Sequence, residues 1–362
     1  AIASLQTRFL DAAAARGQTF RGVKKFRFIP FLGLEVDAAD VTDLQSDPRV
    51  IGIREDRLWA PILADSVPLI GADAVFDRGF TGSGWTVAIL DTGVDKNHSF
   101  FGGRVVSEAC YSTNAPSLSI SSLCPGGVES STAPDSGLHC NANDPSLDDA
   151  GCDHGTHVAG IAAGNGASFS GVAQGANLIA IQVFSKVDDP SQCLPFGLSV
   201  PCLLAFTSDI IQGGERVLEL SGTFDIASAN ISIGGSTKFT SPCDSAFPSS
   251  KTAIDNLRAQ DIATVIASGN EGYSDGLSAP ACISTAVSVG STTKSDQISS
   301  FTNTASFLSL LAPGSSIQSS LPGEAFGFKS GTSMATPHVT GAWALLQEAV
   351  SAEGPPASVD TV

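Results

Sequence analysis

The chain reads as a doubly wound α/β protein with a mostly parallel sheet, preceded by a small α/β unit. Three observations predict this. Five runs, at residues 85–90, 177–184, 229–233, 263–267 and 285–289, are rich in Val, Ile, Leu and Ala. Near-continuous apolar strands suit a parallel sheet covered on both faces. Segments with helical spacing lie between or beside them, at 155–162, 207–218, 251–260 and 333–350, which is the alternation of a doubly wound domain. The charge also changes near residue 60. Residues 1–62 hold nine basic and eight acidic side chains, and the remainder holds ten basic and 28 acidic. Two domains are therefore expected, 1–62 and 63–362.

In the first, residues 1–17 read as a helix, with Leu5, Phe9 and Leu10 on a stripe and strong helix formers at Ala12 to Ala15. Residues 25–36 alternate in part and suggest one or two strands. Residues 37–44 fit a short helix capped by Asp37, and 50–54 another strand. A unit of this size is marginal alone and needs a partner surface. In the second domain, residues 65–84 carry turns at Gly79 and Gly82 before the first apolar strand. Residues 110–153 interrupt the α/β pattern with Ser, Gly, Asn, Asp and Pro. A structureless insertion of that length is uncommon inside a compact domain. Residues 185–205 form a second irregular loop.

The formal charge of −17 disfavours nucleic acid and anionic lipid as partners. No apolar run reaches transmembrane length, and no leader is visible. The eight cysteines all lie after residue 109, and no CxxC pair occurs. Their even number fits four disulfides in an oxidising compartment. Cys193 with Cys202 would close a short polar loop. Cys110, Cys124, Cys140 and Cys152 crowd one stretch, with no connectivity fixed among them.

Five histidines are available as a general base: His98, His139, His154, His157 and His338. His154 and His157 share a face at a helix start. A metal hydrolase using them with His338 is one reading, but the glutamate of HExxH is missing. The bland reading of His157 is a core residue. Asp91 ends a buried strand, where open parallel sheets place functional groups; it equally suits a turn cap. Ser333 stands at a helix start, either as cap or nucleophile. Gly331 before it permits a close or strained approach, and Pro337 is tolerable in a first turn. Together, Asp91, His154 and Ser333 supply carboxylate, base and hydroxyl, in an order unlike that of lipases or chymotrypsin-like enzymes.

The chain resembles the subtilisin family of serine proteases. The resemblance is carried by residues 87–95 (Val-Ala-Ile-Leu-Asp-Thr-Gly-Val-Asp), 154–160 (His-Gly-Thr-His-Val-Ala-Gly) and 331–341 (Gly-Thr-Ser-Met-Ala-Thr-Pro-His-Val-Thr-Gly). It implies a secreted serine endopeptidase, expected as a monomer, acting on polypeptides through an acyl-enzyme. The resemblance assigns the orienting carboxylate to Asp91, the base to His154, the nucleophile to Ser333 and the oxyanion donor to Asn270. It implies substrate contacts at Ser232, Ile233, Gly234 and Glu271, with Ser278, Ala279 and Ala281 along a further part of the pocket. It also implies a Cys243–Cys282 pair. Residues 20–62 resemble the family's inhibitory propeptide, without its first strand, and place processing between Leu58 and Asp65. The chemistry needs no cofactor. A structural calcium is implied by family habit, for which Asn141, Asn143, Asp144, Asp148 and Asp149 offer oxygens, though a solvated loop explains them equally. An esterase or peptide ligase with the same triad, and a non-enzymatic proprotein or binding module, are the competing functions.

Overall fold

The computed structural model describes residues 2–25, 32–53, 66–147 and 151–360. It divides into two compact units, Ala1–Ala60 and Pro61–Val362. The first contains α1 (Ile2–Ala14), the antiparallel pair β1 (Arg21–Lys25) and β2 (Leu32–Glu35), and α2 (Ala38–Ser46). Asp37 caps α2 as expected. Its carboxylate accepts from Ala39 N and Asp40 N, both at 2.9 Å, while Asp40 accepts from the Asp37 backbone. The strand expected at 50–54 is described only over 50–53, which carry no strand assignment, and its last residue lies outside the described residues. The expected processing segment, 58–65, lies outside the described residues.

The second unit opens with α3 (Ser66–Leu69) and α4 (Ala72–Phe76). The strands that follow are β3 (Thr86–Asp91), β4 (Val105–Tyr111), β5 (Ile120–Ser122), β6 (Ser130–Ser131), β7 (Asn177–Gln182), β8 (Phe184–Val187), β9 (Cys202–Ala205) and β10 (Ile226–Ile231). After them come β11 (Lys238–Phe239), β12 (Ala263–Ala267), β13 (Leu277–Ser278), β14 (Val287–Thr292), β15 (Leu310–Pro313), β16 (Ile317–Leu321) and β17 (Ala325–Lys329). The longer helices are α5 (His154–Ala163), α7 (Thr207–Leu220), α8 (Pro248–Arg258) and α9 (Thr332–Ser351), with a short α6 (Pro190–Cys193).

Eight strands make the main sheet, in the order β15-β14-β12-β10-β3-β7-β4-β6. Every pair is parallel except β4 with β6. The expected fold is therefore observed. Two buried clusters cover its faces. One contains Val87, Ile89, Val158, Ile161, Leu178 and Trp343; the other contains Leu90, Ile179, Ile181, Val217, Ile254 and Ile266. Alternate residues of β3 thus enter opposite cores, which is why its sequence is apolar throughout. The order along the sheet reverses at β3. Later strands add beside β7 on one side and through β10 on the other. Asp91 and the residues after Ile231 meet at this reversal, where an open parallel sheet leaves a crevice.

The insertion at 110–153 departs from the expected irregular loop. Its backbone lies along the turn after β3: Val94 N donates to Gly137 O (2.9 Å) and Cys140 N to Thr92 O (3.0 Å). Gly93 is required there, because φ is +89° and a Cβ would meet Leu138 O at 2.1 Å. A small core of Leu123, Leu147 and Leu203 with Cys140 and Cys152 supports it. The segment at 185–205 is likewise ordered, as β5, β8 and β9 form an antiparallel sheet. All eight cysteines pair: Cys110–Cys124, Cys140–Cys152, Cys193–Cys202 and Cys243–Cys282.

Candidate active site

Asp91 is the last residue of β3 and is fully buried. Its Oδ1 accepts from Thr92 N at 2.7 Å and lies 2.7 Å from His154 Nδ1. An ionised carboxylate only accepts, so the imidazole carries its proton on Nδ1 and leaves Nε2 as the basic nitrogen. His154 begins α5. That start is drawn onto the Asp91 turn by Gly155, where a Cβ would meet Gly93 O at 2.3 Å. Thr92 completes the junction. Its hydroxyl donates to Cys152 O (3.3 Å) and accepts from Gly155 N (3.0 Å). Burial disfavours the His154 cation, but the charge and hydrogen bond of Asp91 outweigh it and hold the pKa above the ordinary histidine value.

Ser333 is the second residue of α9. Its hydroxyl donates to Ser232 O at 3.2 Å, and the Ser232 hydroxyl donates to Ser333 O at 2.9 Å. The second bond explains Pro337. It stands beyond the first turn, a correction to the sequence reading. Its missing N–H would have bonded to Ser333 O; the freed carbonyl takes the Ser232 hydroxyl instead. Gly331 also differs from expectation. Its backbone is extended, with φ 160°, and a Cβ would meet nothing closer than 3.6 Å.

Asn270 Oδ1 accepts from Thr332 N (2.8 Å) and from the Thr332 hydroxyl (3.0 Å). With its oxygen occupied, the side-chain amide has only its NH₂ to offer a ligand. His154, Ser232, Ile233, Gly234, Asn270 and Ser333 all line one cleft of about 600 Å³. Ala279 lines it as well; Glu271, Ser278 and Ala281 do not. The Glu271 carboxylate instead accepts from Ser278 Oγ (2.9 Å) and Asn303 Nδ2 (2.6 Å). Apart from His154, no titratable side chain lines the cleft among the described residues, and Phe196, Leu198, Phe206, Ile210 and Phe247 extend it.

Two of the histidines of the metal-hydrolase reading are engaged elsewhere. His157 Nε2 donates to Gly327 O (3.1 Å) and His338 Nδ1 to Met334 O (2.8 Å). Burial pushes their pKa values down, to about 3 and about 4. Both are neutral core residues. Of the calcium candidates, Asp144 is held by Lys186 at 3.0 Å and by Ser146, Asn143 Nδ2 donates to Leu123 O, and Asp148 and Asp149 lie outside the described residues. Among the described residues no set of three His, Cys, Asp or Glu side chains gathers as a metal site. Sequence reading missed Thr92, Thr332 and the Pro337 exchange. The available signal was position, since each adjoins or closely follows a triad residue.

A buried carboxylate bonded to an imidazole, in one cleft with a helix-borne serine, defines a serine hydrolase of the Asp-His-Ser type. The comparisons with known proteins narrow this. Residues 82–362 match the model of the subtilase family. The chain is 33% identical over 332 residues to subtilisin E of Bacillus subtilis (strain 168), covering 89% of this chain and 72% of that one. It is 33% identical over 333 residues to an alkaline protease of Alkalihalobacillus alcalophilus, covering 90% and 70%. A crystal structure of a cold adapted subtilisin-like serine proteinase superposes with TM-score 0.51 at 29% identity, covering 82% of this chain and 81% of that one. The chain belongs to the subtilase family and is a serine endopeptidase.

Proposed function

We propose that this subtilase is a secreted zymogen whose mature domain cleaves extended polypeptides, with Ser333 as nucleophile, His154 as general base, Asp91 as its orienting carboxylate and Asn270 as oxyanion donor. The observation that carries the reading is the 2.7 Å Asp91–His154 bond in the cleft shared with Ser333 and Asn270. The substrate adds as a strand along Ser232, Ile233 and Gly234. The Ser333 hydroxyl rotates from Ser232 O to His154 Nε2 and gives up its proton as Oγ attacks the carbonyl. Asp91 holds the tautomer and stabilises the imidazolium. The oxyanion receives hydrogen bonds from the Asn270 amide and the Ser333 backbone N–H. His154 then protonates the leaving amine, and water hydrolyses the acyl-enzyme.

The uncharged apolar extension of the cleft favours substrates with large apolar side chains on the acyl side. Glu271 acts behind this surface, by bracing Ser278 and Asn303. Four disulfides support secretion. We assign residues 1–62 as an inhibitory propeptide, on the resemblance of residues 20–62 and on the separate contacts of this unit. The mature domain acts as a monomer. A structural calcium on residues 141–149 requires Asp144 to release Lys186; a melting curve unmoved by chelator removes that reading. No helix among the described residues is long and apolar enough to cross a membrane.

The test is mass spectrometry after incubation with a fluorophosphonate. The expected result is a covalent adduct on Ser333, lost after acid denaturation before labelling. Fragment masses also locate the processing junction. An intact Ser333 with no peptide turnover overturns the assignment.

A further inference from the structure

One charge pair beside the site has no part in the reaction above. Lys329 ends β17, four residues before Ser333. Its Nζ reaches both carboxylate oxygens of Asp153, 3.0 Å to Oδ1 and 2.9 Å to Oδ2. Asp153 immediately precedes His154 at the cap position of α5, yet its side chain makes no capping hydrogen bond. An aspartate there ordinarily accepts from the first-turn amides. Here the carboxylate is held by a lysine from another element. The pair therefore ties the start of the base-bearing helix to the strand leading into the nucleophile. His157 makes a second tie between the same elements, through Gly327 O.

The pair also sits in the electrostatic surroundings of the base. The charged and titratable groups acting on His154 are Asp91 from β3, Asp153 at the cap of α5, His157 from α5 and Lys329 from β17. His157 is neutral, and Asp91 is bonded to the imidazole. This leaves one further anion and one further cation, bonded to each other.

We propose that Asp153 and Lys329 are positioning residues whose ion pair joins the base and nucleophile segments and cancels the charge that either partner alone would impose on His154. The proposal rests on the protease reading for its consequence in catalysis. Removing one partner leaves the other as an unbalanced charge, so the two single variants act in opposite directions.

The experiment is the pH profile of kcat/KM on a small chromogenic peptide, with a thermal midpoint for each variant. In Lys329→Met the Asp153 anion stabilises the imidazolium, and the acid limb moves to higher pH. At pH 6 this reads as roughly threefold lower kcat/KM relative to the variant's own alkaline plateau. In Asp153→Asn the Lys329 cation moves the limb to lower pH by a similar factor. The double variant returns close to the parent limb. Both single shifts shrink in 1 M salt, about where screening reaches 3 Å. A purely structural tie would lower activity at every pH with no change of sign. Equal displacement in both singles, no displacement in either, or a double that stays displaced overturns the proposal. Lys329→Gln serves if the Met variant does not fold. The His154 titration, followed by NMR in the Ser333→Ala background, separates the two readings. Opposite shifts there, with a parent chain carrying an intact Ser333 that cleaves no peptide, leave the pair standing and remove the protease. Normal turnover without them removes the pair.

Discussion

The two halves of the active site are held in different ways. On the base side, a fully buried carboxylate grips the imidazole directly at 2.7 Å, and its oxygen also receives a backbone amide. On the nucleophile side, the Ser333 hydroxyl is bonded only to a neighbouring carbonyl at 3.2 Å. What is fixed there is the main chain, by the Ser232 hydroxyl on Ser333 O, and the partner amide, by Thr332 on Asn270. The difference follows from the chemistry. A base with two nitrogens must have its tautomer chosen in advance. A hydroxyl must turn during the reaction, so its backbone is located and its rotor left loose.

This contrast is open to attack by substitution. The largest effect is expected from Ser333→Ala, a loss on the order of 10⁶ in kcat, a magnitude taken from subtilisin. The change removes one partly exposed hydroxyl and no buried methyl group, so the unfolding free energy should move by about 1 kcal/mol or less. Asp91→Asn should lower kcat on the order of 10⁴, since an amide no longer selects the Nδ1–H tautomer; a loss under tenfold would show that the base needs no such grip. Asn270→Ala should lower kcat by roughly 10² to 10³ with little change in KM. An effect confined to KM removes it from the oxyanion site. Thr332→Val keeps the backbone donor to Asn270 and loses one hydroxyl, for about a fivefold fall in kcat.

A further contrast, in stability rather than turnover, concerns the histidines on each side. His157 belongs to the base helix and His338 to the nucleophile helix, and burial depresses both, to about 3 and about 4 from 6.5. A depressed histidine binds fewer protons folded than unfolded. Its stabilisation is present above the unfolded value and is lost as pH falls toward the folded one. Between pH 6.5 and 4 the unfolding free energy should therefore decline, approaching roughly 1.4 kcal/mol per pH unit for each group. His154 works in the other direction. Its raised pKa gives a contribution complete below 6.5 and lost as pH rises through the folded value. Urea unfolding across this range, repeated with His338→Gln, tests the assignment. An unaltered slope in that variant excludes His338 as a contributor.

The sheet and the triad were legible because both write themselves into short stretches. Buried parallel strands need uninterrupted Val, Ile and Ala, and residues 263–267 were placed to the residue. Asp91, His154 and Ser333 lie in runs of small residues whose order along the chain is itself informative. Strand β10 shows the limit. The apolar run at 229–233 overlaps it, but the ladder covers Ile226–Ile231 and leaves Ser232 and Ile233 free to meet the cleft. Residues 110–153 were illegible for another reason. Their order comes from disulfides, backbone bonds to the Asp91 turn and a core of three leucines, none of which has a period. The four cysteines crowded there were the only hint of it in the sequence. The Asp153–Lys329 pair joins positions 176 residues apart and left no local trace.

A proline inside a helix is usually read as damage, a missing rung in the ladder. At Pro337 the vacancy is a socket. Because the rung is missing, a plug from the Ser232 segment fits, and Asn230 and Thr340 continue the connection through the buried interior at 2.9 and 3.0 Å. Ser333 and the proposed peptide-binding segment at 232–234 are thereby linked through a continuous chain of hydrogen bonds. Under the proposed function, a peptide laid along 232–234 would therefore rest on the same bonded unit that holds the Ser333 main chain.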